Sequence, residues 1–170
     1  MPNRKIYDSE LHAHFVTFSC FHRRRPLDHD QAKQIVLTRL AAELETHTGT
    51  CVGYVLMPDH VHAIVWFPAT NRLSAFMKQW KQRSSAEIKK LLRTFLTQYA
   101  ETIDAADPIW QRKYYSFNLY SAEKTRQKLT YMHANPVRAG LAKRANDWPW
   151  SSARYYEFQE QGCVPVRWIE

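Results

Sequence analysis

The sequence predicts an α+β sandwich, in which helices pack on one face of a central antiparallel sheet. Three observations lead there. Four stretches are rich in β-forming residues. Two of them are separated only by Pro58-Asp59, so they should pair as an antiparallel hairpin. Segments with helical periodicity fall between and after the others, giving the order strand, helix, strand, strand, helix, strand, helix.

The first strand is Ala13–Phe21, where Phe15, Thr17 and Ser19 alternate with His14, Val16 and Phe18. A basic loop, His22-Arg23-Arg24-Arg25-Pro26, follows. Asp30 to His47 reads as a helix, because Ile35, Val36, Leu40 and Leu44 recur at helical spacing. Asp28 or Asp30 can cap it, and Gly49 follows its end. Cys51–Met57 and His60–Phe67 are the two strands of the hairpin. Leu73 to Ala100 is a basic helical region with one apolar stripe at Leu73, Phe76, Met77 and Trp80. A second stripe comprises Ile88, Leu91, Leu92, Phe95, Leu96 and Tyr99. Ser84 and Glu87 have the spacing of a capping box, so one kinked helix or two consecutive helices both fit. Ile109–Leu119 is aromatic and β-prone. Ser121 can cap a last helix with Glu123 in its first turn. Pro136 disfavours a helical Asn135 and predicts an end or bend there.

At 170 residues the chain suggests a single domain over 1–170, with a tail from about 146 packing onto it. A domain of this size buries roughly 70% of its unfolded surface and needs no disulfide or structural metal to fold. The three cysteines, Cys20, Cys51 and Cys163, lack CxxC spacing, which argues against a disulfide framework or a cysteine zinc site. They suit a reducing compartment. The first fifteen residues contain no apolar signal core, and no run reaches membrane-spanning length. A cytoplasmic location is the expectation. Lys and Arg number 24 against 16 Asp and Glu, a net charge of +8. That balance points to a polyanionic partner, nucleic acid before anionic membrane, with a merely basic soluble surface as the competing reading.

His60 and His62 carry the first chemical signal. In a strand, residues i and i+2 share a face, so the two imidazoles project together while Val61 points the other way. Two neutral imidazoles can hold one divalent metal but do not complete its shell. Half-exposed polar residues at a hairpin mouth are the competing reading. Tyr131 and Asn135 carry the second signal. They lie four apart on the last helix and so share a face, about 5–6 Å apart at Cβ. Asn supplies a carbonyl oxygen suited to a hard metal, and Tyr a phenol that can act as a nucleophile. From spacing alone, a core tyrosine and an asparagine that caps the helix before proline are the favoured explanation of this pair.

Taken together, MPDHVHAIVWF (57–67), IWQRKYYSFNL (109–119) and LTYMHANPVRAGLAKRANDWPWSSARYY (129–156) resemble the single-tyrosine HUH transposases. The similarity is greatest to the REP-associated tyrosine transposases. It extends over roughly residues 10–157 and is weak from Glu87 to Asp107. It implies a ferredoxin-like or RRM-like sandwich and a metal-dependent transposase that cleaves and rejoins single-stranded DNA near hairpins through a 5′-phosphotyrosine. Residue by residue, it implies His60 and His62 as metal ligands for Mg²⁺ or Mn²⁺ and Tyr131 as the nucleophile. Asn135 stands where related transposases carry a glutamine that completes the metal site. The implied partner is single-stranded DNA bearing a REP-like palindromic hairpin. Action as a monomer or as a homodimer, with the tyrosine helix completing the partner's site, is left open.

Other residues take secondary expectations. Tyr114, Tyr115 and Tyr120 compete with Tyr131, but none has a metal-competent residue four positions on along a predicted helix. Arg23, Arg24 and Arg25, with Lys78, Lys81 and Arg83, are expected to contact DNA phosphates, since such contacts supply most of the salt-dependent affinity. Ordinary solvated charge competes with that reading at each position. Trp110, Trp148 and Trp150 can stack on bases, although packing roles suit most of them better. Two other functions remain in view. One is a non-catalytic nucleic-acid-binding module on the same fold. The other is a small metallohydrolase, for which Asp59 and His133 are the only obvious additional candidates.

Overall fold

The structure, a computed structural model, describes residues 11–170. Residues 1–10 of the expected domain lie outside the described residues. The chain forms β1 (Ala13–Ser19), α1 (Asp30–Thr46), β2 (Thr50–Met57) and β3 (His60–Trp66). Then come α2 (Leu73–Thr94), a short α3 (Thr97–Ala100), β4 (Tyr115–Leu119), α4 (Ala122–Arg138) and α5 (Ala153–Phe158). The four strands make one antiparallel sheet in the order β2-β3-β1-β4. This is the α+β sandwich the sequence predicts, in the ferredoxin-like, RRM-like arrangement that the resemblance implies.

Alternation along the strands separates two apolar layers. Val16 and Phe18 of β1 and Val61, Ala63 and Val65 of β3 join α1 and α2 in the larger core, around the fully buried Phe76, Met77 and Trp80. This is the expected helical layer. The opposite side carries Phe15, Val55, Ile64 and Leu119, against which α4 packs Leu129 and Met132. Gly53 makes that docking close. A Cβ there would lie 2.4 Å from Leu129 Cδ2 and 3.3 Å from Met132 Cε.

Several boundaries differ from expectation. Residues 73–94 form one uninterrupted helix, and Ser84 does not cap it. Its side chain is buried, donates to the Trp80 carbonyl at 2.7 Å and accepts from Trp110 Nε1 at 3.0 Å. The capping-box spacing is therefore spent on packing, and Glu87 instead pairs with Arg39 from α1. Only Tyr115–Leu119 of the aromatic segment is strand, because Trp110 turns inward as an isolated bridge opposite Cys20. Pro136 does not stop α4, which runs to Arg138. A proline so near a helix end removes a single internal hydrogen bond, and Ala139 N–H closes the helix on the Asn135 carbonyl. Ser121 caps α4 as predicted, accepting from Lys124 N–H at 3.1 Å.

The outer edge of β2 is covered by the C-terminal segment. Leu56 N–H donates to Trp150 O at 2.8 Å, Ser152 N–H to Tyr54 O at 3.0 Å, and Arg167 N–H to Cys51 O at 3.0 Å. Covering an edge in this way satisfies backbone groups that would otherwise pair with another chain. Cys20 and Cys51 are buried, Cys163 is exposed, and all three are free thiols. Among the described residues, no helix is long and apolar enough to cross a membrane.

Candidate active site

The site lies on the α4 side of the sheet. His60 and His62 project there from β3, with ring centroids 4.8 Å apart. Each ring is anchored through Nδ1. His60 Nδ1 donates to the Asp59 carboxylate at 2.7 Å, and His62 Nδ1 is hydrogen-bonded to Thr17 Oγ1 at 2.7 Å. The second contact follows from sheet register, which places Thr17 opposite His62. Facing a carboxylate, His60 Nδ1 is the donor and its Nε2 keeps a lone pair, as a metal-ligating imidazole requires; the Thr17 hydroxyl can accept from His62 Nδ1 and so allow the same tautomer there. Phe15 stacks on His62 at 5.3 Å, and the imidazole is only 7% exposed. Burial lowers the His62 pKa to about 3, helped by His60, Lys128, Arg138 and Arg23. His62 is therefore neutral across the physiological range.

Helix α4 brings the second pair. Asn135 Nδ2 lies 3.4 Å from His60 Nε2, and the Tyr131 ring is 6.0 Å from the His62 ring. An asparagine amide can present either end. Turned over, its carbonyl oxygen faces the imidazole, so His60, His62 and Asn135 form a donor set that fits a hard divalent cation. Among the described residues, no group of three His, Cys, Asp or Glu side chains is placed to hold a metal. Tyr131 is half exposed and open to a large substrate.

Two cations flank the tyrosine. Lys128 Nζ is 5.4 Å from the centre of the Tyr131 ring, and Arg138 Cζ is 4.6 Å from it. Lys128, Tyr131, Asn135 and Arg138 thus form one stripe on α4 at helical spacing. Spacing could have found Lys128 and Arg138, but each sits where an ordinary surface charge also would.

The other predicted residues are dispersed. Arg23 is at the site. It pairs with Asp59 at 3.1 Å and donates to Ser19 Oγ at 2.8 Å. It reaches there through a tight turn in which His22 and Arg23 take φ of 53° and 54°. Such left-handed backbone is costly for residues with a Cβ and tends to mark functional loops. Arg24 pairs with Asp107 and Arg25 with Asp28. Lys78, Lys81 and Arg83 lie on α2, behind the opposite sheet face. Lys81 binds the Gln111 and Arg112 carbonyls, and burial lowers its pKa to about 8. Arg83 pairs with the buried Glu43. Lys78 is exposed.

His133 turns away from the site. Its Nε2 is hydrogen-bonded to Ser152 Oγ at 2.8 Å, and burial lowers its pKa to about 4. That leaves the metallohydrolase reading only Asp59. Trp110 is buried, and Trp148 Nε1 donates to Leu56 O. Trp150 lies 5.0 Å beneath the ammonium of Lys33. All three pack.

Residues 7–135 match the family described as Transposase IS200 like. A REP-associated tyrosine transposase from Escherichia coli is 26% identical over 116 residues, spanning 68% of this chain and 60% of its own length. A relative from Haemophilus influenzae is 26% identical over 102 residues, covering 59% of this chain and 57% of its own. The aligned region thus spans about three fifths of each of these relatives. A solved REP-associated tyrosine transposase bound to a REP hairpin superposes with a TM-score of 0.71 at 20% identity, covering 100% of this chain and 92% of that one. That likeness is one of fold.

Proposed function

This chain belongs to the IS200-like transposase family, and on that premise we propose that it cuts and rejoins single-stranded DNA beside a hairpin through a covalent bond to Tyr131. The observation that carries the reading is the meeting of Asn135 with His60, 75 residues apart in sequence, in the same space as Tyr131 and His62. The hairpin-bound relative supports a REP-like palindrome as the partner.

His60, His62 and Asn135 would hold Mg²⁺ or Mn²⁺, which when bound supplies Lewis-acid stabilisation of charge on the phosphate. Asp59 and Thr17 fix the two imidazoles, so the ligand nitrogens need not reorganise. The phenol of Tyr131 loses its proton to solvent, and its oxygen attacks phosphorus. The phosphorus–O3′ bond breaks, and the leaving 3′ oxygen takes up a proton. The DNA 5′-phosphate is left on Tyr131 as a phosphodiester. A DNA 3′-hydroxyl reverses these steps and rejoins the strands, so bond energy is conserved without a nucleotide cofactor. The histidines and the tyrosine of one chain meet here, which supports action in cis. Arg23 is the predicted phosphate contact closest to this centre. Arg24, Arg25, Lys78, Lys81 and Arg83 would act only on a longer path of DNA.

Incubation with a labelled hairpin oligonucleotide and Mn²⁺ tests the proposal. Wild type should give a denaturation-resistant adduct that Tyr131→Phe does not. Equal adduct on the Phe variant would remove Tyr131 as nucleophile. Tight hairpin binding by wild type with no adduct would favour the non-catalytic binding module.

A further inference from the structure

Lys128 is held in an unusual way for a surface lysine. Its ammonium lies 4.9 Å from the centre of Phe15, 4.9 Å from Phe117 and 5.4 Å from Tyr131. Phe15 and Phe117 stack across β1 and β4 at 6.2 Å, and Phe15 also stacks on His62. An aromatic cage attracts a cation through the negative ring faces without neutralising it.

Several cations, Arg24, Arg83 and Arg154 among them, pair with carboxylates, whereas the Lys128 ammonium is met by three ring faces. Among the described residues, no carboxylate pairs with Lys128 or Arg138. Arg138 donates to the Tyr131 carbonyl and covers the Tyr131 ring. The helix stripe that bears the tyrosine therefore keeps its positive charge unspent, with the Lys128 ammonium directed among three rings beside it.

We propose that Lys128 is the phosphate-gripping residue of this site, an ammonium caged by Phe15, Phe117 and Tyr131 that contacts the scissile phosphate and positions it against Tyr131. The inference rests on the strand-cleavage reading above and assigns a residue that reading does not use. Lys128 acts through charge and transfers no proton, so Lys128→Arg should serve in its place and Lys128→Met should not. Removing one preorganised charge from a transferring phosphate costs on the order of 10²-fold in rate. Removing one phosphate contact should also flatten the salt dependence of single-strand binding by about 0.7 in slope.

Two measurements test this. In single-turnover adduct formation at saturating DNA, Lys128→Met should be about 100-fold slow, with Lys128→Arg and the surface control Lys143→Met near wild type. In the Tyr131→Phe background, Lys128→Met should weaken binding of the hairpin oligonucleotide. That penalty should vanish when the scissile phosphate is replaced by a neutral methylphosphonate, which a merely structural lysine would not produce. Lys128→Gln repeats both arms should methionine disturb folding. Wild type without adduct overturns the cleavage reading. A Lys128 binding penalty that is absent, or that persists unchanged on the methylphosphonate, overturns the Lys128 assignment whether or not wild type cleaves.

Discussion

Asn135 Nδ2 stands 3.4 Å from His60 Nε2, a direct polar link between the tyrosine helix and the histidine strand. If the amide turns over to complete a metal site, Asn135→Ala should weaken Mn²⁺ binding about 10- to 100-fold, and His60→Ala or His62→Ala should abolish it. Asn135→Gln, with a longer amide, should retain binding. Calorimetric titration with Mn²⁺ measures this without reference to DNA. Wild-type affinity in Asn135→Ala would remove the amide from the ligand set.

Thr17 anchors His62 from the neighbouring strand. Thr17→Val keeps the shape and β propensity but loses the hydroxyl. The imidazole then loses its orienting partner, and Mn²⁺ affinity should fall about 10-fold with a melting temperature close to wild type. A large drop in melting temperature without a change in affinity would make Thr17 a folding residue instead.

Gly53 sits under α4, where a side chain would meet Leu129 and Met132. Gly53→Val should overpack that contact, destabilise the fold by about 1–3 kcal/mol and displace Tyr131. Denaturant unfolding and adduct yield should fall together. A stable Gly53→Val protein with full adduct yield would mean that α4 docks more loosely than it appears.

Acid should destabilise the protein through its buried histidines. The pKa of His133 is depressed to about 4 and that of His62 to about 3, both chiefly by burial. Between those values and about 6.5 the unfolded state binds more protons, so stability rises with pH through this window and is lost as pH falls. Going from pH 7 to pH 5 should cost about 2 kcal/mol per histidine, read as a shift in urea midpoint. His133→Asn should remove about half of that loss. An unchanged pH dependence in His133→Asn would mean that this imidazole is not buried in its neutral form.

Within single elements, much of this molecule is legible in the sequence. Strand alternation puts His60 and His62 on one face and Val61 on the other. Helical spacing puts Tyr131 and Asn135 on another single face. The order of elements identifies the sheet class. These inferences succeed because side-chain direction within a strand or helix repeats at a fixed local period.

The tertiary structure decided what depends on register and docking. Thr17 meets His62 only because β1 pairs with β3 in one register. Lys128 became a caged cation only because α4 crosses Phe15 and Phe117. Ser84 had the spacing of a cap and became a buried mid-helix donor, because Trp80 and Trp110 converge on it. Of the predicted basic residues, only Arg23 reached the site, by a backbone turn that no side-chain pattern records. A sequence specifies faces, because periodicity is local. It does not specify which faces meet, because that choice is made by burial and packing across the whole chain.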